Sequence, residues 1–266
     1  MRSLKIINEY GQSIELTGKV LINGIEGLGI TRENEYLAFR DRYSLARISH
    51  GLGDITLGLV FLEGYSGYKD FVLFISRAMK LFLEYKTNET YLCKIAFKEI
   101  TKGEISFGSI QSNLIIVKLS PWYRSSEFAL EVSTTESDKE FPYVYHYTYG
   151  ANANGSMQIT NSGDSDAYLS LKIIGRMKNP YVIINKNGET IGTFRLFYEG
   201  EDIVSMSSIP EDEYIKVADE NAYQLQDFTC KNFLTIPKGE SEIVFYPGTS
   251  ELATCYLRIE ESFEGV

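Results

Sequence analysis

Residues 161–197 constrain the fold more than any other part of this sequence. A polar turn at Asn161, Gly163 and Asp164 opens onto a β-rich run, Tyr168 to Ile174, which Gly175 breaks before Asn179-Pro180 starts the next segment. Two further strands, Tyr181 to Asn185 and Thr190 to Phe197, are joined by Asn187-Gly188, whose tolerance of positive φ suits a tight type I′ turn. Short apolar runs punctuated in this way are the grammar of a β-sandwich.

The 266 residues, 44% hydrophobic and 13% aromatic, are enough for packed cores and for two domains. Tyr (19) and Phe (15) abound while Pro (6) is scarce, which suits strands. Charge divides the chain near residue 130. Residues 1–130 carry 16 Lys and Arg against 14 Asp and Glu, net +2, and residues 131–266 carry 10 against 22, net −12. So acidic a second half argues against nucleic-acid binding, which needs clustered cations.

Cys93, Cys230 and Cys255 are odd in number and widely spaced, so they read as small buried hydrophobes and not as a disulfide framework. The amino terminus alternates polar and apolar residues without the apolar core of a secretory signal, which predicts synthesis in the cytoplasm. The longest apolar runs, Phe71 to Ile75 and Leu114 to Val117, are too short to cross a membrane.

In the first half, Leu4 to Ile7 and Ser13 to Leu16 pair around a turn, and Lys19 to Leu28 holds an Asn23-Gly24 turn. The stretch Tyr36 to Gly67 reads as a long hairpin about Gly51-Leu52-Gly53-Asp54, with a returning arm, Ile55 to Leu62, too apolar for a solvated ribbon. The one helix expected covers residues 69–78, where Phe71, Val72, Phe74, Ile75 and Ala78 make an apolar stripe. Strands resume to Leu119, and Ser120-Pro121-Trp122-Tyr123 closes this half.

The second half opens on an aromatic ladder, in which Tyr143, Tyr145, Tyr147 and Tyr149 share one face of a strand. Such a face serves either as a stacking platform for sugar rings or as a surface packed on a neighbouring sheet or subunit. Short strands separated by polar turns follow, in the manner of a jelly-roll or galectin-like sandwich, and residues 261–266 are expected to fray.

Catalytic constellations are missing. The two histidines, His50 and His146, stand far apart, no G-x-S-x-G elbow occurs, and Gly27-Leu28-Gly29 and Gly51-Leu52-Gly53 precede no helix that could hold phosphate. Carboxylates gather in turns, at Asp164 and Asp166, Glu199 to Asp202, and Glu211 to Glu213, which reads as solvated loop charge. Neither enzyme activity, cofactor nor metal is expected.

Order and spacing of several motifs add a resemblance. Gly67-Tyr68, the helix Asp70 to Ile75, Leu81 to Tyr85, Lys102-Gly103-Glu104 and Ser120 to Tyr123 are similar to the amino-terminal domain of the distal tail protein (Dit) family of phage tails. Residues 161–197 and Phe233 to Glu240 resemble that family's carboxy-terminal domain. The resemblance implies an N-terminal β domain, residues 1–130, with one helix and a protruding belt hairpin near residues 40–67, and a galectin-like β-sandwich over 131–266. It implies a hexameric ring of copies at the tail tip or baseplate of a virion, joining the tail tube protein to tail-tip proteins, with receptor-binding proteins or cell-wall sugar as further partners. On this reading the belt contacts of the ring fall to Arg42, Tyr43, Leu57, Leu59 and Phe61. The alternative is a carbohydrate-binding protein for host attachment, with the tyrosine ladder as its platform.

Overall fold

The computed structural model describes residues 2–30, 32–50, 53–132, 154–249 and 252–266, with the side chains of 48–50 left aside. It is mainly β with one α-helix among the described residues, and it divides into two units, residues 1–124 with 263–266 and residues 125–262. Strand Trp122–Glu131 carries the chain out of the first unit, and Ala253–Phe263 brings it back.

In the first unit, strand Asp54–Phe61 is central. Its period-two pattern buries Ile55, Leu57, Leu59 and Phe61 completely, and it pairs with Val20–Glu26 on one side and Ser109–Lys118 on the other. Strand Thr90–Ile100 turns a corner between two layers. Its first half pairs with Leu81–Lys86 and through it with Ser3–Asn8, its second half with Ser109–Lys118, where a bulge at Ile115/Ile116 lets the ladder bend. Both layers share one core with Trp122 and the helix residues Phe71 and Ile75.

The helix, Gly64–Arg77, starts five residues before the expected position. Its first turn, Gly64 to Gly67, lacks the apolar spacing that marks the rest, and just beyond it the Phe61 ring meets those of Tyr68 and Phe71 edge-on at 5.4 Å. Asn23-Gly24 is not a turn. It is a register shift within the single strand Val20–Glu26, one extra residue accommodated opposite Gly58.

The second unit is a two-layer sandwich. One layer runs Ala253–Phe263, Ala167–Gly175, Val204–Ser207, Tyr214–Val217, and the other Gly155–Asn161, Gly239–Tyr246, Tyr181–Lys186, Glu189–Arg195. Between them lies an apolar core that includes Leu171, Ile184, Phe194, Ile243 and Leu257. Asn187 and Gly188 close the expected hairpin at φ 52° and 82°. Tyr223–Leu225 is a 3₁₀ turn.

The carboxy terminus does not fray as expected. Phe263 sets its ring edge-on to Tyr91 at 5.2 Å in the first unit's core margin, and the Glu264 carboxylate meets Arg32 at 2.8 Å. An aromatic ring and an ion pair outweigh the tendency of a terminus to loosen.

Candidate assembly surface

The chain rises out of the first unit as a two-stranded ribbon, Arg32–Phe39 paired with Arg42–His50. Its turn is the two residues Arg40-Asp41, with Arg40 in the left-handed region at φ 55°. At its root, Gly27 sits at φ 89°, where an added Cβ would strike the Asp54 carbonyl. The indole Nε1 of Trp122 donates to the Leu28 carbonyl at 3.2 Å, and the Lys118 ammonium donates to the Gly29 carbonyl at 2.8 Å. Arg32 is fixed by Glu264 as described.

Beyond the root the ribbon has no cover within the described residues. Cross-strand partners place Leu37 with Ser44 and Phe39 with Arg42 on one face, and Tyr36 with Leu45 and Ala38 with Tyr43 on the other. Tyr36, Leu37, Phe39, Tyr43 and Leu45 are all at least half exposed, and Tyr43 reaches 77%. A two-stranded ribbon with apolar side chains on both faces is marginal alone in water and presents surface for association.

Of the residues expected in the belt, Arg42 and Tyr43 do stand on this ribbon, exposed beside its turn. Leu57, Leu59 and Phe61 do not. They are fully buried in a strand paired on both edges, so neither their side chains nor their backbone can reach another chain. The exposed ribbon is Arg32–His50, whereas the hairpin was expected near residues 40–67. The ribbon's other exposed apolar side chains are Tyr36, Leu37, Phe39 and Leu45, and the signal for the first three was the run Tyr36-Leu37-Ala38-Phe39 between charged residues. The tyrosine ladder, Tyr143, Tyr145, Tyr147 and Tyr149, lies outside the described residues.

No group of three or more His, Cys, Asp or Glu side chains is placed to hold a metal among the described residues, and no helix is long and apolar enough to cross a membrane.

Residues 3–119 match the model of the distal tail protein N-terminal domain, the region that contains the ribbon, its root and the core beneath it. Over these residues the chain carries a distal tail protein N-terminal domain. The whole length follows the same architecture as a chain of the phage P2 baseplate in its activated conformation with calcium, at TM-score 0.68 and 17% identity, covering 100% of both chains. A chain of the strontium form gives TM-score 0.68 at 18% identity, again covering 100% of both. The Dit protein of phage SPP1, described as a paradigm of the hub adsorption apparatus in phages that infect Gram-positive hosts, gives TM-score 0.64 at 9% identity over 97% of this chain and 98% of that one. No curated protein matches the sequence.

Proposed function

We propose that this protein is a structural hub of a phage or phage-like tail, whose copies close through the Arg32–His50 ribbon into a ring, six by family resemblance, at the tip or baseplate. The carrying observation is a ribbon with apolar side chains on both faces and a braced root. A head-to-tail contact of this kind, repeated by rotation, closes into a ring. Partners on this reading are sister copies, the tail tube protein along the ring axis, and tail-tip proteins beyond it. The work is geometric and calls for no catalysis. The family of residues 3–119 and the hub and baseplate descriptions of the two similar phage proteins support the reading.

The test is solution mass. The purified chain should sediment at a multiple of 30.2 kDa, six-fold for a hexamer. Replacing Leu37 to Tyr43 with a short Gly-Ser turn should leave a folded single chain. An intact multimer in that variant overturns the role given to the ribbon.

A further inference from the structure

Strands Ile105–Ser106 and Ser109–Lys118 form a tight hairpin on Phe107-Gly108, whose φ angles are 49° and 81°. Positive φ at both central positions suits asparagine before glycine, and a bulky aromatic held there works against its own preference. Phe107 gains nothing inside its chain in return. Its side chain is fully exposed, so it packs on no neighbour among the described residues. Strain of this kind, kept without an internal contact, points to a role outside the chain.

The hairpin is seated on the first turn of the helix Gly64–Arg77. Gly64 lies at φ 60°, and a Cβ there would come within 3.0 Å of Ile105 Cδ1 and 3.2 Å of the Gly108 carbonyl oxygen. The Tyr65 hydroxyl donates to Glu104 at 3.2 Å, and the Lys102 ammonium stands 4.8 Å from the centre of the Tyr65 ring. Phe107 is therefore a knob on a fixed base, with the exposed Ile105 near it.

The other end of the same helix carries an open hollow of about 410 Å³. Leu73, Phe74 and Ala78 give it an apolar lining, and the exposed Asp70 and Arg77 add one charge of each sign. Its opposite wall, the turn that bears Tyr10, is tied to the helix end. The Glu9 carboxylate accepts from the N–H groups of Met79 and Lys80 at 3.1 and 3.3 Å. From Gly64 to Phe74 the helix axis rises about 15 Å, so a chain cannot seat its knob in its own hollow.

We infer that Phe107 of one copy enters the hollow beside Leu73, Phe74 and Ala78 of the next. The phenyl ring and the apolar lining both leave water on contact. Lys102 and Glu104 flank the knob, Asp70 and Arg77 flank the hollow, and each side offers the other a charge of opposite sign. Because knob and hollow lie at opposite ends of one helix, the contact is head-to-tail and repeats by rotation. It is too small to hold copies together alone, so it works beside a larger interface. The inference rests on the ring reading and adds a contact that the ribbon does not make.

Sedimentation of the full chain over a concentration series tests it. Phe107→Asn creates the Asn-Gly pair that this turn favours, so the melting temperature holds or rises while the multimer dissociates at an about tenfold higher concentration. Leu73→Glu, at a position already exposed, does the same to the multimer from the other side. In a Cys230→Ser background, Phe107→Cys together with Leu73→Cys lets a short bismaleimide link copies into a ladder, and neither cysteine alone does so. An unchanged dissociation midpoint in both single variants, or no ladder from an intact multimer, overturns this contact and leaves the ribbon in place. A lower melting temperature in Phe107→Asn also overturns it, since the ring would then serve its own chain. A parent chain that stays single at every concentration overturns the ring reading, and this contact with it.

Discussion

At the scale of single residues, this protein places its demanding polar groups where turns must be rigid. Asn161 is 1% exposed, and its side chain donates to the carbonyls of Ser165 and Ile236 at 2.9 Å while accepting from the Gly163 N–H at 2.9 Å. Asn161→Ala leaves these buried partners unsatisfied and should cost about 2–3 kcal/mol, read by chemical denaturation of the second unit. Asp227 accepts from the Thr229 hydroxyl at 2.6 Å and backbone N–H at 3.0 Å, with Arg195 at 3.7 Å. Thr229 first, and Arg195 after it, hold this carboxyl below the usual range. A depressed carboxyl contributes its stability above the ordinary carboxylate pKa and loses it as pH falls through the folded value. Asp227→Asn should therefore be less stable than the parent near neutrality and flatter in its acid response. Equal pH profiles would contradict this. Burial raises the thiol pKa of Cys93 and Cys255, whereas Cys230 is partly exposed, so native alkylation should modify Cys230 alone. Rapid labelling of all three would show a looser core.

At the scale of elements, what could be read beforehand depended on whether one signal acted alone. Asn187-Gly188 announced its hairpin because both residues accept positive φ and alternating strands flank them. The ribbon announced less, because its turn uses Arg40-Asp41 in place of a glycine or asparagine, while Gly51 and Gly53 nearby offered a stronger but misplaced turn signal. The arm Ile55 to Leu62 was legible as needing cover, and its cover is the sheet itself. The candidate surface was half visible for the same reason: Arg42 and Tyr43 lie on the ribbon under either turn, but the inward strand was assigned outward. Gly27 makes the departure of the ribbon testable. Gly27→Ala meets the Asp54 carbonyl at φ 89°, a strain of about 1–3 kcal/mol, so both the melting temperature and ring yield should fall. Parent-like behaviour of this variant would mean that the root is not rigid. By contrast Leu37→Ser with Tyr43→Ser removes only exposed apolar surface, so it should abolish multimers while leaving the single-chain stability within about 0.5 kcal/mol. Retention of the multimer would remove the ribbon's apolar faces from the interface.

At the scale of the molecule, the chain divides into units between Arg124 and Ser125, and its charge changes near residue 130. Composition cannot see a chain that comes home: the last four residues belong to the first unit although they follow the whole of the second. A run of six residues with two glutamates, a glycine and one phenylalanine has the composition of a loose end. Only the tertiary partners reverse that reading. The Phe263 ring lies edge-on to Tyr91 at 5.2 Å and has the Arg124 guanidinium at 5.5 Å, and Glu264 braces Arg32 at the base of the ribbon. An aromatic pair and a cation over its ring contribute on the order of 1–2 kcal/mol beyond the area they bury, whereas the partly exposed ion pair adds little. Deleting Phe263 to Val266 should therefore lower the stability of the first unit by about 2–3 kcal/mol, summing burial and ring contacts. It should also loosen the ribbon. Hydrogen exchange separates the two units: amides of Leu81–Lys86 and Thr90–Ile100 should lose protection in the truncated chain while those of Tyr181–Lys186 and Gly239–Tyr246 stay as they were. Loss of protection in the second pair alone would mean that the carboxy terminus serves the unit it leaves and not the one it enters.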